Sequence, residues 1–153
     1  MENTESQVEI KFVKVHSDAI LPSCKRTEPG TGDVGYDIYA VEDCIIPPKQ
    51  AEVIPTGINV GYITPGYWFS IATRSGLGFN HNLQAHAGII DPTYRGNLGV
   101  KIFNHHSFEP YYVKKGDRIA QIIVHKLIQP VVSWTDSVDN TERSEKGFGS
   151  SGR

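Results

Sequence analysis

The chain is short of the features that mark several large protein classes. Two cysteines among 153 residues fall well below the density of a disulfide scaffold, so Cys24 and Cys44 read as small, buried or half-buried side chains. Fifteen Lys+Arg against 17 Asp+Glu leave a formal charge of -2, which supplies no basic field to hold a nucleic-acid backbone. Any anionic ligand has to be held by local groups. No stretch approaches the roughly 20 apolar residues of a membrane span, and the opening MENTESQVEIKF has no apolar targeting core. A soluble intracellular protein with neither nucleic acid nor membrane as partner is expected. The histidines at 16, 81, 86, 105, 106 and 125 form no His-Glu-x-x-His, and the cysteines no Cys-x-x-Cys, so no direct protein ligand to a metal is expected. No window has a convincing helical period, although SGLGFNHNL has room for one short helical turn, and no repeat has solenoid spacing.

What is present is strand and turn. VEIKF alternates, while YWFSIAT, LGVKIF and IAQIIV are short, nearly unbroken apolar runs rich in β-branched and aromatic residues. Between such runs lie EPGTGD, IIPPKQ, ITPGY, IIDPTYRG and KKGD, whose Gly, Pro and Asp are turn residues. Punctuation at these intervals predicts an all-β sandwich or barrel, and the length fits one domain. From Gln129 onward apolar residues thin out. The expected organisation is a β-barrel body over 1–128, an arm over 129–142 and a mobile glycine-rich tail over 143–153.

Four stretches combine turn glycines with charge. In DVGYDIYA, Asp33 and Asp37 flank a glycine at a strand entrance. In ATRSGLGF, Arg74, Ser75 and Gly76 follow an apolar strand; a guanidinium, a hydroxyl and free backbone N–H groups there make either an anion site or a turn with a solvated arginine. In HAGIIDPTYRG, Asp91 follows two isoleucines and precedes a proline, so its carboxylate sits at a rigid strand end. A general base suits that position, and so does an ordinary Asp-Pro turn. In KKGDRIAQIIV, Gln121 interrupts an apolar strand and needs a hydrogen-bond partner, whether protein or ligand. The ending TERSEKGFGSSGR is phosphate-loop-like in composition only, since its lysine precedes the glycine. By itself it reads as a flexible end.

Taken in order, these stretches resemble the five motifs of the homotrimeric dUTP pyrophosphatases: DVGYDIYA, TRSGLGF, AGIIDPTYRGNLGVKIFN, KGDRIAQIIV and RSEKGFGSSG. The resemblance implies a distorted jelly-roll subunit, a homotrimer with active sites shared between subunits, and hydrolysis of dUTP to dUMP and pyrophosphate. That reaction keeps uracil out of DNA and supplies dUMP for thymidylate synthesis. It also implies Mg2+ carried on the substrate triphosphate, and a cytoplasmic, nuclear or virus-encoded protein. By the same resemblance Asp91 orients and activates the attacking water and touches the sugar, and Tyr94 lies under the deoxyribose. Arg74, Ser75 and Gly76 grip phosphates, with Gln121 on the phosphate side. Asp37 and Gln121 stand near the water shell of the metal. Gly88, Ile89 and Gly99 line the nucleoside pocket. In the tail, Phe148 covers the base while Arg143 and backbone N–H groups around Gly149 meet the triphosphate. Phosphoryl hydrolysis needs an aligned water and neutralised charge more than covalent help, which such a residue set supplies.

Three positions depart from the family pattern. Lys146 stands where glycine is usual, Ser151 where threonine is common, and Ala85 where several members have an asparagine that helps read the base. Lys146 either costs tail order, if positive φ is needed there, or adds attraction for phosphate. A related dCTP deaminase shares the Ile-Asp-Pro segment and is the alternative enzyme. A nucleotide-sensing module that uses the tail as a switch is the alternative outside catalysis.

Overall fold

The computed structural model describes residues 7–149, and residues 1–6 and 150–153 lie outside it. The expectations for Ser151, Gly152 and the outer ends of the body and tail segments therefore fall outside the described residues. The elements in order are β1 (Ile10–Lys14), β2 (Gly35–Tyr39), β3 (Cys44–Ile46), β4 (Ala51–Ile63), β5 (Tyr67–Ala72), α1 (Ser75–His81), β6 (Leu83–His86), β7 (Ile89–Ile90), β8 (Asn97–Asn104), β9 (Tyr111–Val113) and β10 (Arg118–Lys126). They form one four-stranded sheet in the order β1-β4-β8-β6, a second in the order β2-β10-β5-β7, and the two-stranded pair β3-β9. All pairings are antiparallel. The expected all-β fold is present, and no helix among the described residues is long and apolar enough to cross a membrane.

The core is the inner face of both sheets. Along β8 burial alternates, so that Leu98, Val100, Ile102 and Asn104 point in while Gly99 and Lys101 point out, the period of a strand with one covered face. Ile54 on β4, Phe69 on β5, Ile38 on β2 and Ile122 on β10 meet them. The inward Asn104 is fully satisfied: its amide donates to the carbonyls of Ile46 (3.1 Å) and Glu109 (2.9 Å), and its side-chain oxygen accepts the His106 N–H (3.0 Å). A buried amide is tolerated on that condition.

The longest strand is the one the sequence conceals. β4 runs 13 residues through Pro55 and Gly57, residues that usually punctuate. Its ladder with β8 slips between Pro55 and Asn59, and a bulge is where proline and glycine are admitted to a strand. Thr56 closes that gap, its buried hydroxyl donating to the Leu98 carbonyl at 2.6 Å. Beyond Lys126 no further helix or strand is described, and every described residue from Leu127 to Gly149 is exposed.

Candidate active site

Asp37 on β2 lies across from Gln121 on β10, which in turn lies across from Ala72 on β5. Arg74 follows two residues later, in extended conformation at the N-terminus of α1. The central position of β10 thus gathers Asp37 from β2, Gln121 from β10 itself and Arg74 from just beyond the end of β5. Arg74 Nε donates to Asp37 Oδ1 at 2.8 Å, with both side chains about three-quarters withdrawn from solvent, and Arg118 Nη1 approaches Asp37 Oδ2 at 3.9 Å. Among the described residues the two terminal nitrogens of Arg74 have no hydrogen-bond acceptor. They are open to an anion, as are the exposed Ser75 hydroxyl and the first N–H groups of α1 beside Gly76. Behind Arg74 a cavity of about 230 Å³ is lined by Leu83, Ile102 and Tyr111 among others. Burial pushes the Tyr111 phenol up, Asp117 adds to this and Arg74 opposes it, so this phenol is neutral at physiological pH, while Asp117 and Arg118 bring charge to the same cavity.

Gln121 has a protein partner. Its Nε2 donates to the Thr73 carbonyl at 2.9 Å. Its amide lies over Gly35, where an added Cβ would run into the Gln121 Oε1. Glycine at 35 therefore lets the amide lie flat across the sheet.

The second group of candidates is built where two strands part. β6 and β8 pair as far as His86 and Lys101, and carrying that register two residues further sets Gly88 opposite Gly99. There the chain leaves β8. Ala87 takes a positive φ of 55°, the Gly88 carbonyl accepts the Ile71 N–H at 2.7 Å, and Ile89 and Ile90 pair with Ser70 and Phe69 of the other sheet. A side chain at 88 would collide with the Ile71 backbone. The strands fork at the Gly88 backbone, with Ile89 exposed beside it. Main-chain donors and acceptors held this rigidly can match one base edge and leave another unpaired. The Ala85 N–H is not among them, being taken by the Thr73 hydroxyl at 2.8 Å.

Asp91 is exposed at the end of β7, and its carbonyl accepts the Tyr94 N–H at 3.0 Å to close a turn through Pro92. The Tyr94 hydroxyl donates to the Asn97 carbonyl at 2.8 Å, and the ring lies against Gly96. Arg95 Nη1 donates to the carbonyls of Pro92 (2.7 Å) and Tyr94 (2.9 Å). The carboxylate is thus carried by a braced turn. Sequence reading missed Arg95 in this role, along with Arg118, Thr73 and Gly35; for Arg95 the signal was a lone cation inside the turn.

The Asp91 carboxylate and Arg74 do not meet within one chain. The register of β5 and β7 sets Asp91 level with Trp68, six residues before Arg74, which at strand rise is about 20 Å. The tail meets neither. Arg143 folds back on its own segment, donating to the carbonyls of Lys146 (2.8 Å) and Gly147 (3.1 Å), while Phe148 is fully exposed. Positive φ in the tail falls at Ser144 (50°) and Gly149 (81°), so Lys146 carries no such strain.

Comparison with known proteins agrees with this arrangement of motifs. A family model described as dUTPase matches residues 21–152. The deoxyuridine 5'-triphosphate nucleotidohydrolase of Rattus norvegicus is 38% identical over 149 residues, which is 97% of this chain and 70% of that protein. The enzyme of the same name from Fowlpox virus is 42% identical over 147 residues, 94% of this chain and 97% of its own. Among solved structures, a mutant dUTPase of Staphylococcus bacteriophage 80alpha with dUpNHpp superposes with a TM-score of 0.81 at 30% identity, covering 97% of this chain and 99% of that one. With motif order, sheet topology and relatives in agreement over nearly its whole length, the chain belongs to the dUTPase family.

Proposed function

We propose that the protein hydrolyses dUTP to dUMP and pyrophosphate, with the base read in the Gly88–Gly99 fork and the triphosphate held at Arg74. The observation that carries this reading is the coupling of fork and carboxylate. The same short segment that leaves the fork at Gly88 ends in the braced turn of Asp91 and Tyr94, which sets a base slot, a ring for the sugar and a water-activating group in sequence.

In this mechanism Asp91 accepts a hydrogen bond from the attacking water and holds it in line with the phosphorus–oxygen bond that breaks. The water oxygen bonds to phosphorus, pyrophosphate departs, and the water's proton passes by way of Asp91 to solvent. Arg74, pinned by Asp37, meets the phosphate charge with its terminal nitrogens, and the α1 N–H groups and Ser75 hydroxyl add donors without reorganising. Magnesium carried on the triphosphate would neutralise part of its charge, and the chain's own share of that task falls to Arg74, Ser75 and the α1 N–H groups. The donor set suits that route: among the described residues no three His, Cys, Asp or Glu side chains converge, and Asp37 is engaged by Arg74. Tyr94, anchored at both ring and hydroxyl, leaves no space for a 2′-hydroxyl.

Because the Asp91 carboxylate and Arg74 stand about 20 Å apart along one chain, a complete site takes the cradle of one copy and the Asp91 turn with its fork from another. A homotrimer with shared sites meets this need. The arm supports it, with Val131, Val132 and Trp134 from 86% to 100% exposed, and such unburied apolar clusters mark subunit contacts. A groove between β1 and β10, lined by Ile10, Phe12, Leu21, Tyr36, Ile122 and Val124, offers a neighbouring copy's arm an apolar seat. The tail then closes over bound nucleotide, Arg143 exchanging its own carbonyls for phosphate and Phe148 covering the base.

Pyrophosphate release from dUTP, measured with and without magnesium, tests the reading. Magnesium-dependent release of equal amounts of dUMP and pyrophosphate is expected. Release of a uracil-containing product from dCTP, with dUTP left intact, would instead assign the protein to deamination.

A further inference from the structure

We propose that Thr73 is a positioning residue that holds the base fork against the strand end that carries Arg74, a role that rests on the dUTP-hydrolysing reading above. Thr73 stands directly before Arg74 and uses both its main chain and its side chain. Its carbonyl accepts the Gln121 amide at 2.9 Å. Its hydroxyl accepts the Ala85 N–H at 2.8 Å.

The second bond is the unusual one. Residues 85–90 run alongside β5, held by backbone pairing from Ile71–Gly88 to Phe69–Ile90. At Ala87 the chain kinks through positive φ, and the pairing cannot continue past it. The Thr73 hydroxyl supplies an acceptor where the β5 backbone has none in reach, extending the grip on this segment beyond the kink. The fork at Gly88 is therefore tied on both sides, by Ile71 below the kink and by Thr73 above it. Ala85 also belongs to β6 and pairs with Ile102, so the tie reaches both sheets.

Gln121 completes the chain of contacts. Its amide rests in the space left by Gly35 and holds the Thr73 carbonyl, and Gln121 is in register with Asp37, the partner of Arg74. Within one chain, one residue thus joins the strand end that carries Arg74 to the segment that carries Gly88, Ile89 and Asp91, so that each part is held firm for the site it serves. Threonine suits the position because it adds a hydroxyl acceptor to a branched side chain whose methyl lies 3.4 Å from where a Cβ on Gly78 would stand.

The test compares Thr73→Val, which keeps the shape and removes the acceptor, with Thr73→Ser, which keeps the acceptor. Steady-state kinetics on dUTP and dCTP are measured with thermal unfolding and with hydrogen exchange at the Ala85 amide. For Thr73→Val we expect about a three- to tenfold higher KM for dUTP, a smaller change in kcat and a narrowed preference for dUTP over dCTP, the size of one lost hydrogen bond. Ala85 exchange should quicken, and Thr73→Ser should restore kinetics and exchange together. Unchanged kinetics and selectivity in Thr73→Val would overturn the proposal. So would an activity loss matching the loss of folded protein, or failure of serine to restore it. The exchange measurement keeps the two readings apart: if wild-type protein leaves dUTP intact, the enzymatic reading fails, whereas equal Ala85 exchange in wild type and Thr73→Val removes the tie whatever the activity.

Discussion

The phosphate cradle is locked from within, Arg74 pinned by Asp37 and Gln121 by the Thr73 carbonyl, whereas the Asp91 turn is braced only by its own neighbours and stands open to solvent. The cradle draws its parts from β2, β10 and the end of β5, so it forms when the sheet forms. The turn is nearly local, spanning Asp91 to Asn97. A cation aimed at phosphate gains from rigid placement and partial desolvation, because its interaction is stronger and needs no reorganisation. A carboxylate that must accept a proton from water gains from access. In the proposed mechanism each half suits its task, and neither works without the other.

The largest expected effect is in the exposed half. Asp91→Asn keeps the shape of the turn and loses the base, so kcat should fall by about 10²- to 10⁴-fold while dUTP affinity stays within about tenfold, as read by calorimetric titration. A variant with substantial turnover would move water activation to another group. Next is the tail, which belongs to neither half. Deleting Glu142 to Arg153 removes no buried side chain among the described residues, so thermal unfolding and oligomeric mass should be unchanged. Turnover should drop by about 10- to 100-fold, the worth of charge-assisted bonds from Arg143, and Arg143→Ala should account for most of it. Full activity in the truncation would make the tail a spent terminus.

Unlocking the cradle should cost less. Asp37→Asn leaves Arg74 without its charged partner, and about a five- to tenfold rise in KM for dUTP is expected, in keeping with a partly buried charge-assisted bond. Magnesium titrations separate this from a metal effect: a rise that excess magnesium cancels would place Asp37 on the ion's water shell and not on Arg74. The smallest effect belongs to Tyr94→Phe, which loses the bond to the Asn97 carbonyl and keeps the ring; about a two- to fivefold loss of kcat/KM is expected, with a modest narrowing of dUTP over UTP. Tyr94→Ala should narrow that ratio much further, and an unchanged ratio would remove the ring from the sugar.

The same contrast explains what could be read from sequence. The rigid turn at Asp91 and Pro92 was legible because a proline after a strand constrains its neighbours whatever surrounds it, whereas Tyr94 was placed at the sugar by resemblance alone. The partner of Arg74 was not, because Asp37 is 37 residues away and becomes a neighbour only through the strand order β2-β10-β5. The all-β class followed from short apolar runs and turns, yet β4 passed unseen because its bulge takes the proline and glycine that usually end strands. Gly88 and Gly99 were placed at the nucleoside by resemblance; their facing positions depend on the β6–β8 register. The tail shows the limit of composition most plainly. Its glycines suggest a free linker, but Arg143 gathers a turn around itself, and the proposed closure requires that turn to open.

The central claim, that each site takes its cradle from one copy and its Asp91 turn from another, is tested most directly by mixing two inactive variants. Arg74→Ala and Asp91→Asn proteins are unfolded together in equal amounts, refolded and assayed for pyrophosphate release from dUTP. Random assembly with shared sites should restore roughly a quarter of wild-type turnover, since each site draws its two halves independently from the pool. Refolded mixtures of intact mass that remain as inactive as either variant alone would show that cradle and turn serve the same site within one chain, and would contradict the account.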